Sequence, residues 1–309
     1  MAEAVTTEPT ELTTRCGFVA LIGAPNAGKS TLVNRLVGSK VTIVSHKVQT
    51  TRALIRGIVM AGNAQIVLVD TPGIFKPKRR LDRAMVNTAW SGAHDADIAA
   101  LLIDAQRGID EEAEALLARI AEVRHPKILI VNKVDTVKRE TLLPLVEAAN
   151  HAASFERTFM VSALSGDGLV ELTRWLAEAV PPGPFLYPED EISDLPLRSL
   201  AAEITREKLY ERLHQELPYQ ATVETELWQE QKDGSVRVEQ TIFVERESQK
   251  KIVIGKGGAT IKAISMGARR EIGGIAERPI HLFLFVKVRE NWGDDPERYR
   301  AMGIEFPKV

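Results

Sequence analysis

Several features that would place a chain in a special class are scarce here. Cys16 is the single cysteine in 309 residues, so no internal disulfide can form and a reducing compartment, the cytoplasm, fits best. Long apolar runs are missing: the best stretches, Ile128 to Val131 and Leu282 to Val286, fall far short of the roughly 18 residues that a spanning helix needs. Residues 1–15 are acidic and Thr-rich without an apolar centre, which excludes a secretory signal and reads as a flexible N-terminus. A surplus of charge is missing too, with 40 basic against 42 acidic residues and a net charge of −2. That balance argues against a protein held on nucleic acid by bulk positive charge, because nonspecific binding comes mostly from neutralising phosphates. What remains is ordinary globular composition, 44% apolar and 27% charged, in a length that favours two domains.

From Gly17 to about Val180 short β-rich runs alternate with helical stretches, the pattern of a mostly parallel sheet with crossover helices. Strands are predicted at Phe18 to Ile22, Leu54 to Met60, Gln65 to Val69, Ile98 to Ile103, Lys127 to Val131 and Thr158 to Val161. Helices are predicted to start near Lys29, Leu81, Asp110, Thr141 and Leu169. The Pro- and acid-rich stretch from Pro181 to Glu191 breaks any helix and reads as a linker, placing an α/β domain at 16–183, the linker at 184–194 and a second domain at 195–309. The second domain reads as a helix over Leu197 to Leu217 stopped by Pro218, then strands Ala221 to Trp228 and Val236 to Val244 joined through Asp233-Gly234. A Gly-rich turn at Gly255 to Gly258, a helix carrying Ile261, Ile264 and Ala268, and a strand from Ile280 to Val288 complete a smaller α+β unit.

Gly23-Ala24-Pro25-Asn26-Ala27-Gly28-Lys29-Ser30, followed by Thr31, matches the phosphate-binding loop pattern in full, after a buried strand and at the start of a helix. Its backbone N–H groups would point at phosphates, Lys29 would reach the β and γ positions, and the Ser30 hydroxyl would bind Mg²⁺. Asp70-Thr71-Pro72-Gly73 follows the third strand; Asp70 would hold Mg²⁺ through water and the Gly73 N–H would meet the γ-phosphate. Asn132-Lys133-Val134-Asp135 closes the fifth strand, where the Asp135 carboxylate can accept N1–H and the exocyclic amine of guanine, a donor pair adenine lacks. Ser162-Ala163-Leu164, after the sixth strand, would place a backbone N–H near the guanine carbonyl. Four motifs in this order point to GTP and GDP as ligands.

The chain resembles the translation-factor-related GTPases, and Gln49-Thr50-Thr51-Arg52 looks like their first switch. That resemblance implies a Ras-like fold and a threonine on Mg²⁺, with Thr51 favoured over Thr50 by the family's pattern. Ile74 stands where Ras-type proteins carry the Gln that orients the attacking water, so something else must do so. Related proteins with Asn in the phosphate loop use K⁺; Asn26 matches, against the alternative that it only caps the loop.

Val253-Ile254-Gly255-Lys256-Gly257-Gly258 opens a helix in the second domain and resembles the GxxG loop of KH domains, which clamps about four single-stranded nucleotides. Ile252, Ile254 and Ile261 would receive bases, and Lys256, Lys262, Arg269 and Arg270 would meet phosphates. From Arg246 to Arg270 seven basic residues face one acid, a net of +6, inside a C-terminal part that is −3 overall from Pro188 onward. Phe283 and Phe285 could stack on bases, but aromatics in a terminal strand are more often core and they are assigned no role, and Trp292 either packs the C-terminus on the RNA groove or caps that strand.

Taken together, a guanine-specific phosphate-loop domain followed by a KH-like (type II) domain and the tail from Lys287 to Trp292 resembles the Era GTPases of bacterial ribosome assembly, over nearly the whole chain from Cys16 to Phe306. The resemblance implies GTP hydrolysis, binding to the 3′ end of small-subunit (16S) ribosomal RNA, a part in 30S subunit maturation and loose peripheral association with the inner membrane. A monomer is the default expectation, with the GTP state exposing the RNA groove and hydrolysis timing release. Two other classes stay open: an RNA-binding scaffold in which nucleotide is a structural ligand, and a small-molecule kinase built on the same loop.

Overall fold

A strand that is apolar on both faces must be covered on both faces. β3 (Ala64–Asp70) and β4 (Ile98–Asp104) are buried at every position, and they flank β1 (Arg15–Gly23) at the centre of a six-stranded sheet. With β2 (Ile55–Ala61), β5 (Lys127–Asn132) and β6 (Arg157–Met160) the order is β2-β3-β1-β4-β5-β6, parallel except for β2 against β3. The molecule, a computed structural model, is described over residues 14–306 apart from 48, 78, 215–216, 291 and 302–303; of the N-terminus expected to be flexible, residues 1–13 lie outside the described residues.

Two layers of helix supply the cover. α1 (Lys29–Val37) and α5 (Leu169–Ala179) lay Leu32, Val33, Leu172 and Leu176 on one face. α2 (Arg80–Asp95), α3 (Glu111–Ala121) and α4 (Leu142–Ala152) lay Trp90, Leu116, Ile120 and Ala149 on the other. β1 begins at Arg15, ahead of the expected start, because Arg15 pairs with Ala64 and its Nε donates to Val180 O at 2.8 Å.

The 184–194 stretch is bound rather than loose. The Gln65 side chain accepts from Leu186 N at 2.9 Å and Tyr187 N at 3.0 Å and donates to Tyr187 O at 2.8 Å. Further on, Ile58 N donates to Ile192 O at 2.9 Å and Arg56 pairs with Asp194 at 2.7 Å, so the stretch follows the β2 edge.

The second sheet has the order β7 (Ala221–Glu230), β8 (Val236–Val244), β9 (Ile280–Val288), antiparallel then parallel. The Asp233-Gly234 turn forms as expected, with Gly234 at φ +81° and Ser235 N donating to Asp233 Oδ1 at 3.0 Å. Parallel β8 and β9 need a crossover, and α7 (Glu247–Ile254) and α8 (Ala259–Ala276) provide it. α7 is absent from the sequence expectation, which runs straight from strand to Gly-rich turn. A second difference is α6, which spans Leu197–Arg212 and stops short of Leu217. Its last carbonyls, of Tyr210 and Leu213, accept from the Lys47 ammonium of the first domain, and Leu217 re-enters the core from a separate turn. Phe283 and Phe285 are 44% and 46% exposed, not core, because alternate β9 residues face away from the helices. Trp292 neither lies on the glycine loop nor caps β9. It is buried with Leu81 and Met85 of α2 and with Tyr299 of α9 (Pro296–Ala301), joining the C-terminus to the first domain.

Candidate functional site

β1 lies where the strand order turns back, and open α/β sheets bind ligands at the carboxyl ends of strands there. The 23–30 loop leaves β1 at that point. Asn26 and Gly28 have φ +64° and +98°, and α1 starts at Lys29 with no side chain capping its N–H groups. A Cβ on Gly28 would stand 2.2 Å from Asn132 Nδ2, so the tight loop needs glycine there. The buried Lys29 ammonium donates to Gly23 O and Ala24 O, both at 3.0 Å. Burial lowers its pKa to about 8, with Asp70 acting in the opposite direction.

Asp70, at the end of β3 and fully buried, collects three hydroxyls on Oδ2: Ser30 at 2.7 Å, Thr42 at 2.9 Å and Thr51 at 3.2 Å. Its Oδ1 is buried without a partner, and burial raises the carboxyl pKa although Lys29 and the hydroxyls oppose that. Ser30 and Thr51 are 3.1 Å apart, whereas the Thr50 hydroxyl turns away to donate to Lys47 O at 2.6 Å. No motif points to Thr42, which Asn34 of α1 holds through Oδ1 and Nδ2. Thr71 donates to Leu21 O at 2.6 Å, and Gly73 passes so close to Pro25 that a Cβ would meet its Cα at 2.9 Å. Pro72 sits between them, next to the loop that carries Ile74 into the apolar cluster under α2. Asn26 donates to His46 O at 2.8 Å, tying the phosphate loop to the segment before Thr51. Phosphate loop, switch segment and Lys133 line one cleft of about 140 Å³, with Thr31 at its wall.

Asn132 acts as a brace. Its Nδ2 donates to Ala27 O at 2.9 Å and its Oδ1 accepts from Ala163 N at 3.0 Å, linking the phosphate loop to the Ser162-Ala163-Leu164 turn. Lys133, at φ +64°, reaches Asp104 at 2.6 Å, and Asp135 stands exposed on the next turn. Ser162 is buried and accepts from Ser165 N at 3.1 Å, while Leu164 is exposed. The structure thus brings every motif residue to one end of the first sheet.

The segment 39–54 is also the contact with the second domain, which no local sequence pattern announces. Ile43 is buried among Leu200, Ile204 and Ile272. Lys40 pairs with Glu207 at 2.6 Å and with Glu271 of α8, and Val44 N donates to Glu207 Oε1 at 2.8 Å. Arg52, buried beside Tyr210 and Trp292, donates to Ala221 O at 3.0 Å and Tyr210 Oη at 2.9 Å; burial lowers its pKa. Gln49, at φ +58°, donates to Asp82 of α2 at 2.7 Å. From the second domain, Arg206 donates to Gln49 O and Thr50 O.

The glycine loop joins α7 to α8, and both helices pack on the edge strand β9. A Cβ on Gly255 would lie 2.2 Å from Thr260 Oγ1, while Gly257 and Gly258, at φ +59° and +79°, open to free space. Lys256, Lys262, Arg269 and Arg270 are exposed. Ile252 is 56% exposed, Ile254 and Ile261 are half-buried, and their neighbour Val253 takes the core position.

Comparison with known proteins agrees with both halves. Residues 18–133 match the 50S ribosome-binding GTPase family, and residues 216–293 match the KH domain. A GTPase Era of Bradyrhizobium diazoefficiens is 73% identical over 295 residues, 96% of each chain, and that of Rhizobium meliloti is 70% identical over 96% of this chain and 94% of its own. Among solved structures, Era in complex with MgGDPNP and nucleotides 1506–1542 of 16S ribosomal RNA superposes with a TM-score of 0.89 at 38% identity, covering 94% of this chain and 99% of that one. A point variant of Aquifex aeolicus Era bound to GDP and AlF4⁻ gives a TM-score of 0.89 at 37% identity over the same shares. A phosphate-loop domain with a guanine-type motif set, a KH domain behind it and near-complete relatives of both place this chain in the Era family of GTPases.

Proposed function

We propose that this GTPase holds GTP and GDP with Gly23, Ala24, Pro25, Asn26, Ala27, Gly28, Lys29, Ser30 and Thr31, reads guanine with Asn132, Lys133, Asp135 and the 162–164 turn, and closes on the γ-phosphate with Thr51 and Gly73. The observation that carries this is the meeting of the Ser30, Thr42 and Thr51 hydroxyls on the buried Asp70, beside the uncapped start of α1. Mg²⁺ prefers hard oxygen donors, few of them protein carboxylates. The cluster suits that preference: one carboxylate with an unpartnered Oδ1 and adjacent hydroxyls, and no group of three His, Cys, Asp or Glu among the described residues. Ser30, Thr51 and, through water, Asp70 would hold the ion, which when bound neutralises charge developing between the β- and γ-phosphates.

The chain's own groups do the rest. Lys29 exchanges its two carbonyl contacts for phosphate oxygens, the α1 N–H groups face the anion, and Gly73 offers a backbone N–H to the γ-phosphate. Ile74 is packed in apolar surroundings and offers no group to orient water, which leaves that task to backbone, to a switch residue or to a monovalent cation such as K⁺, which Asn26 would hold. Equal turnover in KCl and NaCl eliminates the K⁺ route.

We further propose domain limits of 16–183 and 195–309, with 184–194 between them. The KH part binds the single-stranded 3′ end of 16S ribosomal RNA through the 255–258 loop, the flanking isoleucines and Lys256, Lys262, Arg269 and Arg270, and the protein acts as a cytoplasmic monomer in 30S assembly. The GTP state exposes this surface and hydrolysis times release. Support comes from the exposed loop with its +6 run and from the solved Era complex. Peripheral membrane association rests on the resemblance alone; no helix among the described residues is long and apolar enough to cross a membrane. Crosslinking in cells followed by sequencing, wild type against Lys256→Glu, tests the RNA reading: unchanged recovery of small-subunit RNA overturns it. Asp135→Asn should shift preference from GTP toward XTP, and retained GTP selectivity counts against the base contact.

A further inference from the structure

We propose that Arg206, a residue of the second domain, is a positioning residue for Thr51 in the first, and thereby part of what lets the site prefer GTP to GDP. This deepens the reading of Thr51 as a Mg²⁺ ligand and depends on it.

Among its described residues, the segment 39–54, between the end of α1 and the start of β2, contains no helix or strand that could fix its own shape. Gln49 within it has φ +58°, a conformation that an ordinary residue keeps only where its surroundings impose it. Asp82 of α2 holds its side chain, and α6 holds its carbonyl. Arg206 Nη1 donates to Gln49 O at 3.4 Å, Arg206 Nη2 donates to Thr50 O, and Tyr210 Oη donates to Gln49 O at 3.3 Å. On the far side of Thr51, Arg52 is anchored to Tyr210 Oη and Ala221 O. The chain on both sides of Thr51 is therefore tied to the second domain, by backbone carbonyls before it and by the Arg52 side chain after it, and the Thr51 hydroxyl is left facing Ser30 and Asp70.

Arg206 is built for this work. Its side chain is 1% exposed, its Nε donates to Glu203 Oε1 at 2.9 Å, and its guanidinium lies 5.1 Å from the Tyr210 ring centroid. A planar fork can serve two successive carbonyls and a carboxylate together, which an ammonium cannot do in the same geometry. Switch threonines of GTPases meet the metal and γ-phosphate and let go on hydrolysis. Holding Thr51 inward therefore favours the triphosphate alone, and by linkage the triphosphate must strengthen the Arg206 contact by the same factor.

The experiment measures affinity of the full-length chain for fluorescent GDPNP and GDP at saturating Mg²⁺ in wild type, Arg206→Gln, Arg206→Lys, Thr51→Ala and the Thr51→Ala/Arg206→Gln double variant. Losing a charge-assisted bond should weaken GDPNP binding roughly ten-fold in Arg206→Gln, with GDP changed by less than about two-fold and Arg206→Lys in between. The double variant should bind GDPNP no more weakly than Thr51→Ala. Equal losses for both nucleotides, no loss, or additive losses overturn the proposal. If Arg206→Gln does not fold, a wild-type GDPNP-to-GDP ratio in Arg206→Lys overturns it. Should Thr51→Ala itself bind GDPNP normally, the reading of Thr51 as a ligand fails first, which separates the two outcomes.

Discussion

Gly28→Ala offers a worked test of how the nucleotide loop is held. Gly28 has φ +98°, and an added Cβ would stand 2.2 Å from Asn132 Nδ2. The left-handed backbone costs an alanine about 1–2 kcal/mol. The clash displaces a buried amide that bonds Ala27 O at 2.9 Å and Ala163 N at 3.0 Å. Stranding those groups adds about 1–3 kcal/mol for each of the two bonds lost, for a total of roughly 3–8 kcal/mol. Gly38→Ala is the matched control: φ is +80°, nothing lies within 4 Å of its Cβ, and only the conformational cost applies. Urea unfolding of the nucleotide-free full-length chain should separate the two variants by about 2–6 kcal/mol, a large share of a domain's ~5–15 kcal/mol. GDP affinity should fall for Gly28→Ala alone, since Asn132 also positions the Ala163 turn. Equal destabilisation of the two variants would refute the brace assigned to Asn132.

Other expected outcomes follow from the same contacts. The Lys29 ammonium is held down to about 8 by burial, so between about pH 8 and its ordinary value of 10.5 the unfolded chain binds a proton that the folded chain has released. Stability of the nucleotide-free chain should thus gain about 2 kcal/mol from this group between roughly pH 7.5 and 9.5, and Lys29→Met should remove that slope in urea unfolding. Thr42→Val keeps shape but deletes one hydroxyl on Asp70; a loss of about 1 kcal/mol in thermal unfolding is expected, and a neutral result removes Thr42 from the cluster. Lys256→Gln should lower the slope of log affinity for single-stranded RNA against log salt by about 0.7 if Lys256 meets one phosphate, and an unchanged slope would place that phosphate elsewhere. Trp292→Ala empties the seat between α2 and the C-terminus and should cost about 3–5 kcal/mol; a neutral result would mean that seat is not closely packed.

The nucleotide loop is legible in the sequence because its chemistry is local: glycines, a lysine and a serine within eight positions must follow a strand and open a helix. β4 and β5 of the first sheet are legible for a similar reason, as nearly unbroken apolar runs. α7 escapes a sequence reading because Glu247, Lys250 and Lys251 hide a helix that places just Val253 in the core. The end of α6 is misplaced because Lys47, some 160 residues earlier, takes its final carbonyls. Gln49, Thr42 and Arg206 give no signal of the contacts they make, since their partners are distant in sequence and each is a common residue in an ordinary context. Trp292 is visible as a large side chain near the C-terminus, but its place under α2 depends on how two domains meet.

The bound stretch along β2 has a consequence for energetics. Ser193 is still paired with Gly57 and Asp194 with Arg56, and α6 begins at Leu197, so the 184–194 stretch stays on the first domain to its end and only residues 195–196 remain before α6. A leash that short fixes the second domain's effective concentration at the switch segment in the millimolar range or above, so contacts far too weak to associate two separate proteins suffice here. It also limits the available motion to a swing about residues 195–196. Lengthening the leash there, with every contact residue intact, would dilute the KH domain from its own partner.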